Sequence, residues 1–443
     1  MNPRHARALA SAIIGGLIFF AAAHAADARP SPTTGESLLW EFTGVHGRGA
    51  DPYAPLIIDN SGRLYGTTSS GFGGGTVFRL TPKRSGEYAL EVLHVFRESH
   101  DGSGPMAGLL ADASGTLYGT TYSGGNTGSC GASVPGCGTV FALTPQTKGY
   151  GERILYAFSG GDDGMHPSAG LIEDSLGNLY GTTAYGGSGT SCTLGCGTVF
   201  TLTRHGSSYV KHTLYQFQGS TDGGNPVAPL LMDGYGNLYG TAYGGGNPTC
   251  LWGCGTVFKL TPHGKRYVET TLYEFTGGGD GANPMAPLIV DTAGNLYGTA
   301  EFGGNLNACH GTDLPGCGTV YELTPSSGTY VQSVIHAFGV DDGAYPIGGL
   351  LESNEDVLYG TTAGGGSYPG GGTVFSLTPQ SGTYAESVLY SFEGQGGTTG
   401  GEPAAGLVAG ADGALYGTTF YGGDLSEACN EMAGCGIVFR VTP

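Results

Sequence analysis

Apolar residues along this chain come in short alternating runs separated by glycine-rich turns, and no stretch after the first residues keeps a helical period. In one stretch the pattern predicts four strands, over 169–174, 178–184, 197–203 and 209–217. Within the last of these, Tyr215 and Phe217 share a face by the two-residue strand period. Asp174-Ser175-Leu176-Gly177-Asn178 joins the first two, with an Asx residue to cap the turn and a glycine for positive φ.

The four-strand unit repeats. Leu-Tyr-Gly-Thr begins at Leu64, Leu117, Leu179, Leu238, Leu296, Leu358 and Leu415, at intervals of 53, 62, 59, 58, 62 and 57 residues. Each copy is followed by Gly-(Thr/Ile)-Val-(Phe/Tyr), as at Gly75-Thr76-Val77-Phe78, and usually by Leu-Thr-Pro. Seven such units predict an all-β, seven-bladed β-propeller of four-stranded blades. The ends favour a closed ring over an open solenoid. Leu39-Trp40-Glu41-Phe42 matches the fourth-strand endings of later units, whereas the last unit stops at Val441-Thr442-Pro443 without a fourth strand. The N-terminal strand is therefore expected to pair with the last blade, leaving no half-built sheet.

The pattern Leu-Tyr-Gly-Thr-Thr … Gly-Gly … Gly-Thr-Val-Phe-x-Leu-Thr-Pro resembles the GloVer tandem repeat of bacterial "choice-of-anchor" proteins, over about residues 37–443. The resemblance implies an extracellular protein and carries no established reaction. Many members end in an anchoring segment; this sequence closes inside its last repeat, which leaves anchoring or release open.

Composition sharpens the setting. Arg4, His5 and Arg7 precede an apolar run, and Ala23-His24-Ala25 fits a small-x-small cleavage site. Residues 1–25 thus read as a signal peptide, 26–36 as a short linker and 37–443 as the propeller. Cleavage would take the net charge from −19 to −21. Such acidity opposes binding to nucleic acid and anionic membranes. The expected product is secreted, periplasmic or cell-surface, a monomer, and not inserted in a membrane.

Strand order puts two loop classes on one face: the glycine-rich loops after Leu-Tyr-Gly-Thr and the links between blades. The first class holds all ten cysteines, in the pairs Cys130/Cys137, Cys192/Cys196, Cys250/Cys254, Cys309/Cys317 and Cys429/Cys435. An even count, local pairing and export predict five disulfides, each worth about 2–2.6 kcal/mol in the chain-entropy view. Zinc is the rival, but each pair offers only two thiolates.

The links carry Asp101, Asp163, Asp222, Asp280 and Asp342, each before a glycine. They read first as turn formers and second as oxygen ligands for calcium; no other cofactor is expected. On the same face Tyr122, Tyr185, Tyr243, Phe302 and Tyr421 could stack on sugar rings or pack against the next blade. No His-Glu-x-x-His, Gly-x-Ser-x-Gly or phosphate-loop motif occurs. His166, His310 and Glu301 depart from the repeat and are the candidates for acquired chemistry. The leading expectation is a non-catalytic binding protein for a glycan or an extracellular protein. A polysaccharide hydrolase or lyase and a purely structural envelope protein are the alternatives.

Overall fold

The structure, a computed structural model, describes residues 35–443 except 46, 72, 98–99, 126–129, 131–135, 265, 310–313, 369, 395–396, 424–428 and 430–433. The expected signal peptide and His310 lie outside the described residues.

Seven four-stranded antiparallel sheets form the propeller. In the first blade the strands are Ile57–Ile58, Leu64–Thr68, Thr76–Pro82 and Tyr88–Val95, hydrogen-bonded in that order. The seventh holds Val408–Ala409, Leu415–Thr419 and Ile437–Val441, and Glu36–Glu41 completes it by pairing with Ile437–Val441. The ring closes as the sequence predicts. Helical structure among the described residues is one 3₁₀ turn, Gly161–Asp163.

Each letter of the repeat has a physical task. The leucine of Leu-Tyr-Gly-Thr is core, with Leu64, Leu179 and Leu238 fully buried. The tyrosine hydroxyl donates to the aspartate of the preceding turn, as from Tyr65 to Asp59 and Tyr180 to Asp174 at 3.1 Å. That aspartate also accepts two backbone N–H groups, making the Asx turn. The glycine is required because a ring lies across it: a Cβ on Gly66 would fall 2.6 Å from Phe78 Cζ. The next threonine reaches into the following blade, Thr67 donating to the Ala107 carbonyl at 3.2 Å and Thr120 to that of Ala169 at 3.1 Å. Thr418 does the same to Ala54 at 3.2 Å, across the closure.

Neighbouring blades meet through one aromatic pair at every joint. Phe42 packs edge-on against Phe78, Phe96 on Phe141, Phe158 on Phe200 and Phe217 on Phe258. Phe275 on Tyr321, Phe338 on Phe375 and Phe392 on Phe439 complete the circuit. All seven separations fall between 4.9 and 5.1 Å. Such edge contacts give about 0.5–1.5 kcal/mol each beyond the area they bury.

Two features differ from the sequence reading. The first strand expected over 169–174 is only Ile172–Glu173. The residues before it, Ala169-Gly170-Leu171, pack around the axis: a Cβ on Gly170 would meet the Gly108 carbonyl at 3.3 Å and Pro229 at 3.4 Å. The Ala169 carbonyl is engaged by Thr120 of the previous blade. The third and fourth strands also pair through a β-bulge, between Val199 and Phe200 in the third blade. The extra residue there, Leu214, turns into the core below Phe217.

Candidate binding site at the axial mouth

The loop face has an outer and an inner tier. The five link aspartates belong to the outer one. Asp101 accepts the Arg97 N–H at 2.8 Å and pairs with His94 Nε2 at 3.1 Å. Asp222 takes the Gln218 N–H at 2.8 Å and the Tyr215 hydroxyl at 2.9 Å, and Asp280 takes those of Thr276 and Tyr273, both at 2.9 Å. Asp342 accepts from Gly339 N–H at 2.6 Å and pairs with His336 at 3.0 Å. Asp163 binds Ser159 N–H, Tyr156 and Lys211 of the next blade. Burial opposes its ionisation, but the Lys211 and Tyr156 hydrogen bonds outweigh that and hold its carboxyl below the usual range. Every aromatic or histidine partner sits on a fourth strand, at the rim. The aspartates are thus separated from one another, each closing its own link. Among the described residues no three His, Cys, Asp or Glu side chains gather as a metal-ligating group.

The five cysteine pairs lie within bridging reach, with Cα separations of 4.8–5.2 Å. They brace the face from within: a Cβ on the link residue Gly219 would fall 2.5 Å from Cys196 Sγ. The second cysteine of each pair also offers its carbonyl to the next link. Cys137 accepts the His166 N–H at 2.8 Å, Cys196 that of Asn225 at 2.7 Å and Cys254 that of Asn283 at 2.8 Å. Cys317 receives Tyr345 at 2.8 Å and Cys435 receives Asp51 at 2.9 Å. In the two loops without cysteine, Gly74 and Gly371 receive Gly104 and Glu402.

Those seven acceptors pick out an inner tier. Asp51, Gly104, His166, Asn225, Asn283, Tyr345 and Glu402 each precede a proline where the link enters the innermost strand. All seven have φ between 55 and 65°, a left-handed conformation that non-glycine residues seldom adopt. Each is pinned twice, because its carbonyl also accepts the N–H of the residue just after a second strand: Ser69, Tyr122, Ala184, Tyr243, Glu301, Ala363 or Phe420. The proline ring in turn lies on the glycine of Gly-Thr-Val-Phe, where a Cβ on Gly197 would meet Pro226 Cδ at 2.5 Å.

The pre-proline residues and the residues that follow the second strands form a collar, and four of the five sequence-selected aromatics touch its rings. Tyr122 stacks on His166 at 4.4 Å and 14°, and Tyr185 meets the same imidazole edge-on at 5.9 Å. Phe302 packs on Tyr345 at 5.7 Å, and Tyr421 on Phe420 at 4.7 Å, which itself meets Tyr53 at 5.8 Å. The fifth, Tyr243, shares a hydrogen bond with Glu301 of the next blade. All five are half-buried. His166 is 2% exposed and its Nδ1 lies 2.8 Å from the Tyr122 carbonyl, so it supports the collar from beneath.

Three carboxylates stand among these rings, and burial raises all of them. Asp51 is pushed up by desolvation while a bond from Ser70 opposes the rise, and Glu402 rises by desolvation. Glu301 goes furthest, to about 7, through burial that its bond to Tyr243 only partly offsets. Its Oε2 is buried with no hydrogen-bond partner in the protein. Tyr53 is lifted to about 12 by burial and by the charges of both Glu402 and Glu301. One phenol therefore feels the charge of acids from the fifth and seventh blades.

A model of the Gloeobacter/Verrucomicrobia repeat matches residues 28–194, 129–312 and 308–443. The chain belongs to the Gloeobacter/Verrucomicrobia repeat family. No curated protein matches it. Among solved structures it is similar to a provisional 6-phosphogluconolactonase of Bacteroides uniformis, at 14% identity and TM-score 0.51, over 80% of this chain and 88% of that one. A periplasmic gluconolactonase of Pseudomonas aeruginosa matches at 14% identity and TM-score 0.48, over 86% and 96%. At these identities the likeness is one of fold.

In this member of the Gloeobacter/Verrucomicrobia repeat family, the sequence pointed to the loop face, to Glu301 and to the aromatics. It did not single out the pre-proline tier as a ring. The available signal was a variable residue before an invariant-looking proline in all seven links, from Asp51-Pro52 to Glu402-Pro403.

Proposed function

We propose that the protein is an exported, non-catalytic receptor that binds a neutral glycan at the axial mouth of its loop face. The observation that carries this reading is the collar itself, in which half-buried aromatic residues and three carboxylates share one rigid ring. Aromatic faces suit the apolar side of a pyranose, and carboxylates suit its hydroxyls. The strained pre-proline residues supply pre-organisation, since each is over-determined by two backbone hydrogen bonds. Disulfides and net acidity fit an oxidising extracytoplasmic setting. Among the described residues no helix is long and apolar enough to cross a membrane. A neutral-glycan array followed by calorimetric titration tests the reading. Tyr122→Ala and Tyr243→Ala should each weaken a hit about tenfold, while Asp222→Asn at the rim should leave it unchanged. Binding to no glycan, or equal loss from the rim variant, would refute it.

Glu301 gives a second reading, hydrolysis of a polysaccharide. A carboxyl titrating near 7 is protonated often enough at neutral pH to act as a general acid. Its mark would be new reducing ends released from a bound glycan and lost in Glu301→Gln.

A further inference from the structure

We infer that the glycan site continues outward from the mouth over the fourth blade, onto an aromatic platform made by Trp252. This inference rests on the mouth being the glycan site. Trp252 is 68% exposed, and its neighbour Leu251 is 71% exposed. A free surface indole of this kind is uncommon, because so large an apolar ring usually gains by burial.

Its position is fixed by the chain around it. Cys250 and Cys254 bridge across the loop, so Leu251, Trp252 and Gly253 form the tip of a small covalent ring. The Trp252 carbonyl accepts the Gly245 N–H at 2.9 Å. It also lies where a Cβ on Gly244 would meet it at 2.8 Å, so glycine at 244 is what lets the loop dock this closely. Gly244 directly follows Tyr243, the collar residue bonded to Glu301. Two Cα steps and one hydrogen-bonded pair therefore separate Tyr243 from Trp252, roughly 12–13 Å along the backbone.

At the equivalent positions of the third and fifth blades this platform is absent. In the third blade the Leu194 carbonyl accepts the Gly186 N–H in the same way, and in the fifth the Pro315 carbonyl accepts that of Gly303. An aliphatic side chain can crowd a ligand there but offers no flat face. The arrangement gives a direction to the ligand: one end among Tyr243, Glu301 and Tyr53, and the body of the chain leaving over the fourth blade. The matching ligand class is a neutral linear oligosaccharide longer than a disaccharide. Net acidity disfavours a polyanionic one.

The protein has two tryptophans, and Trp40 lies in the closing strand Glu36–Glu41, so indole fluorescence can isolate the platform. The experiment titrates the intact, disulfide-bonded protein with cello-, xylo- and malto-oligosaccharide ladders. Fluorescence and calorimetry are read together for the wild type, Trp252→Phe and Trp252→Ala. In one ladder, affinity should rise with chain length beyond the disaccharide, and the indole signal should change at saturation. Trp252→Ala should cut affinity for the long members about five- to tenfold and leave the short ones unchanged, and Trp252→Phe should restore most of it. If short sugars bind but length brings no gain, or the gain survives Trp252→Ala, the platform is refuted while the mouth reading stands. If no member of any ladder binds, both fall together.

Discussion

Tyr321 is the one place where the interblade ring departs from phenylalanine on the third strands, and its hydroxyl is fully buried with no partner. The six equivalent joints do without that oxygen. A buried polar atom left unsatisfied costs about 1–3 kcal/mol, so Tyr321→Phe should stabilise the fold by about 1 kcal/mol or more. The check is a higher midpoint of urea unfolding with an unchanged slope. Glu301 is the titrating residue of the site. Its folded pKa of about 7 exceeds the ordinary 4.5, so the folded state holds its proton where the unfolded chain has lost it. Stability from this residue is full below the ordinary pKa, declines as pH rises through that window and is gone above about 7. Glu301→Gln should therefore flatten the fall in melting temperature between about pH 5 and about pH 8, while leaving the acid limb alone. A fall as steep as in the wild type would remove Glu301 from this role.

At the level of elements, the links combine two devices that the sequence shows unequally. The Asp-Gly pairs were readable as turn chemistry, and the structure gives each aspartate a backbone N–H from three or four residues earlier and a fourth-strand partner. The collar was harder to read because its members share a backbone conformation rather than a side chain: Asp51, Gly104, His166, Asn225, Asn283, Tyr345 and Glu402 have no common chemistry. Strand pattern likewise overstated the first strand, since alternation continues into Ala169-Gly170-Leu171, where axial packing rather than a ladder takes over. The positive φ gives a test. Glycine relieves such strain, as at Gly104, so Glu402→Gly should raise stability by about 1 kcal/mol, helped by removal of a desolvated carboxylate. If Glu402 belongs to the site, the same variant should bind more weakly. A stabilised variant with unaltered binding would leave Glu402 as a turn residue only.

For the whole molecule, seven equivalent joints make the scaffold, and unequal residues at equivalent positions make the candidate site. Closure through Glu36–Glu41 sets the first and last blades side by side and so places Asp51 and Tyr53 near Glu402 and Phe420. Repeats alone could announce this ring, since Leu-Tyr-Gly-Thr encodes core, turn, ring clearance and the bond to the next blade. They could not announce the mouth, whose chemistry lies in the departures from the repeat. Disulfides link the two levels, because the second cysteine of each of the five pairs anchors the next pre-proline residue through its carbonyl. The most direct measurement is hydrogen–deuterium exchange of the mature protein with and without a glycan identified on the array. Protection should concentrate at the amides of Asp51, Tyr243, Glu301, Glu402 and Phe420, with the rim links around Asp101 and Asp280 unchanged. Protection confined to the rim, or to the turns around Asp59 and Asp174 on the opposite face, would contradict a binding site at the axial mouth.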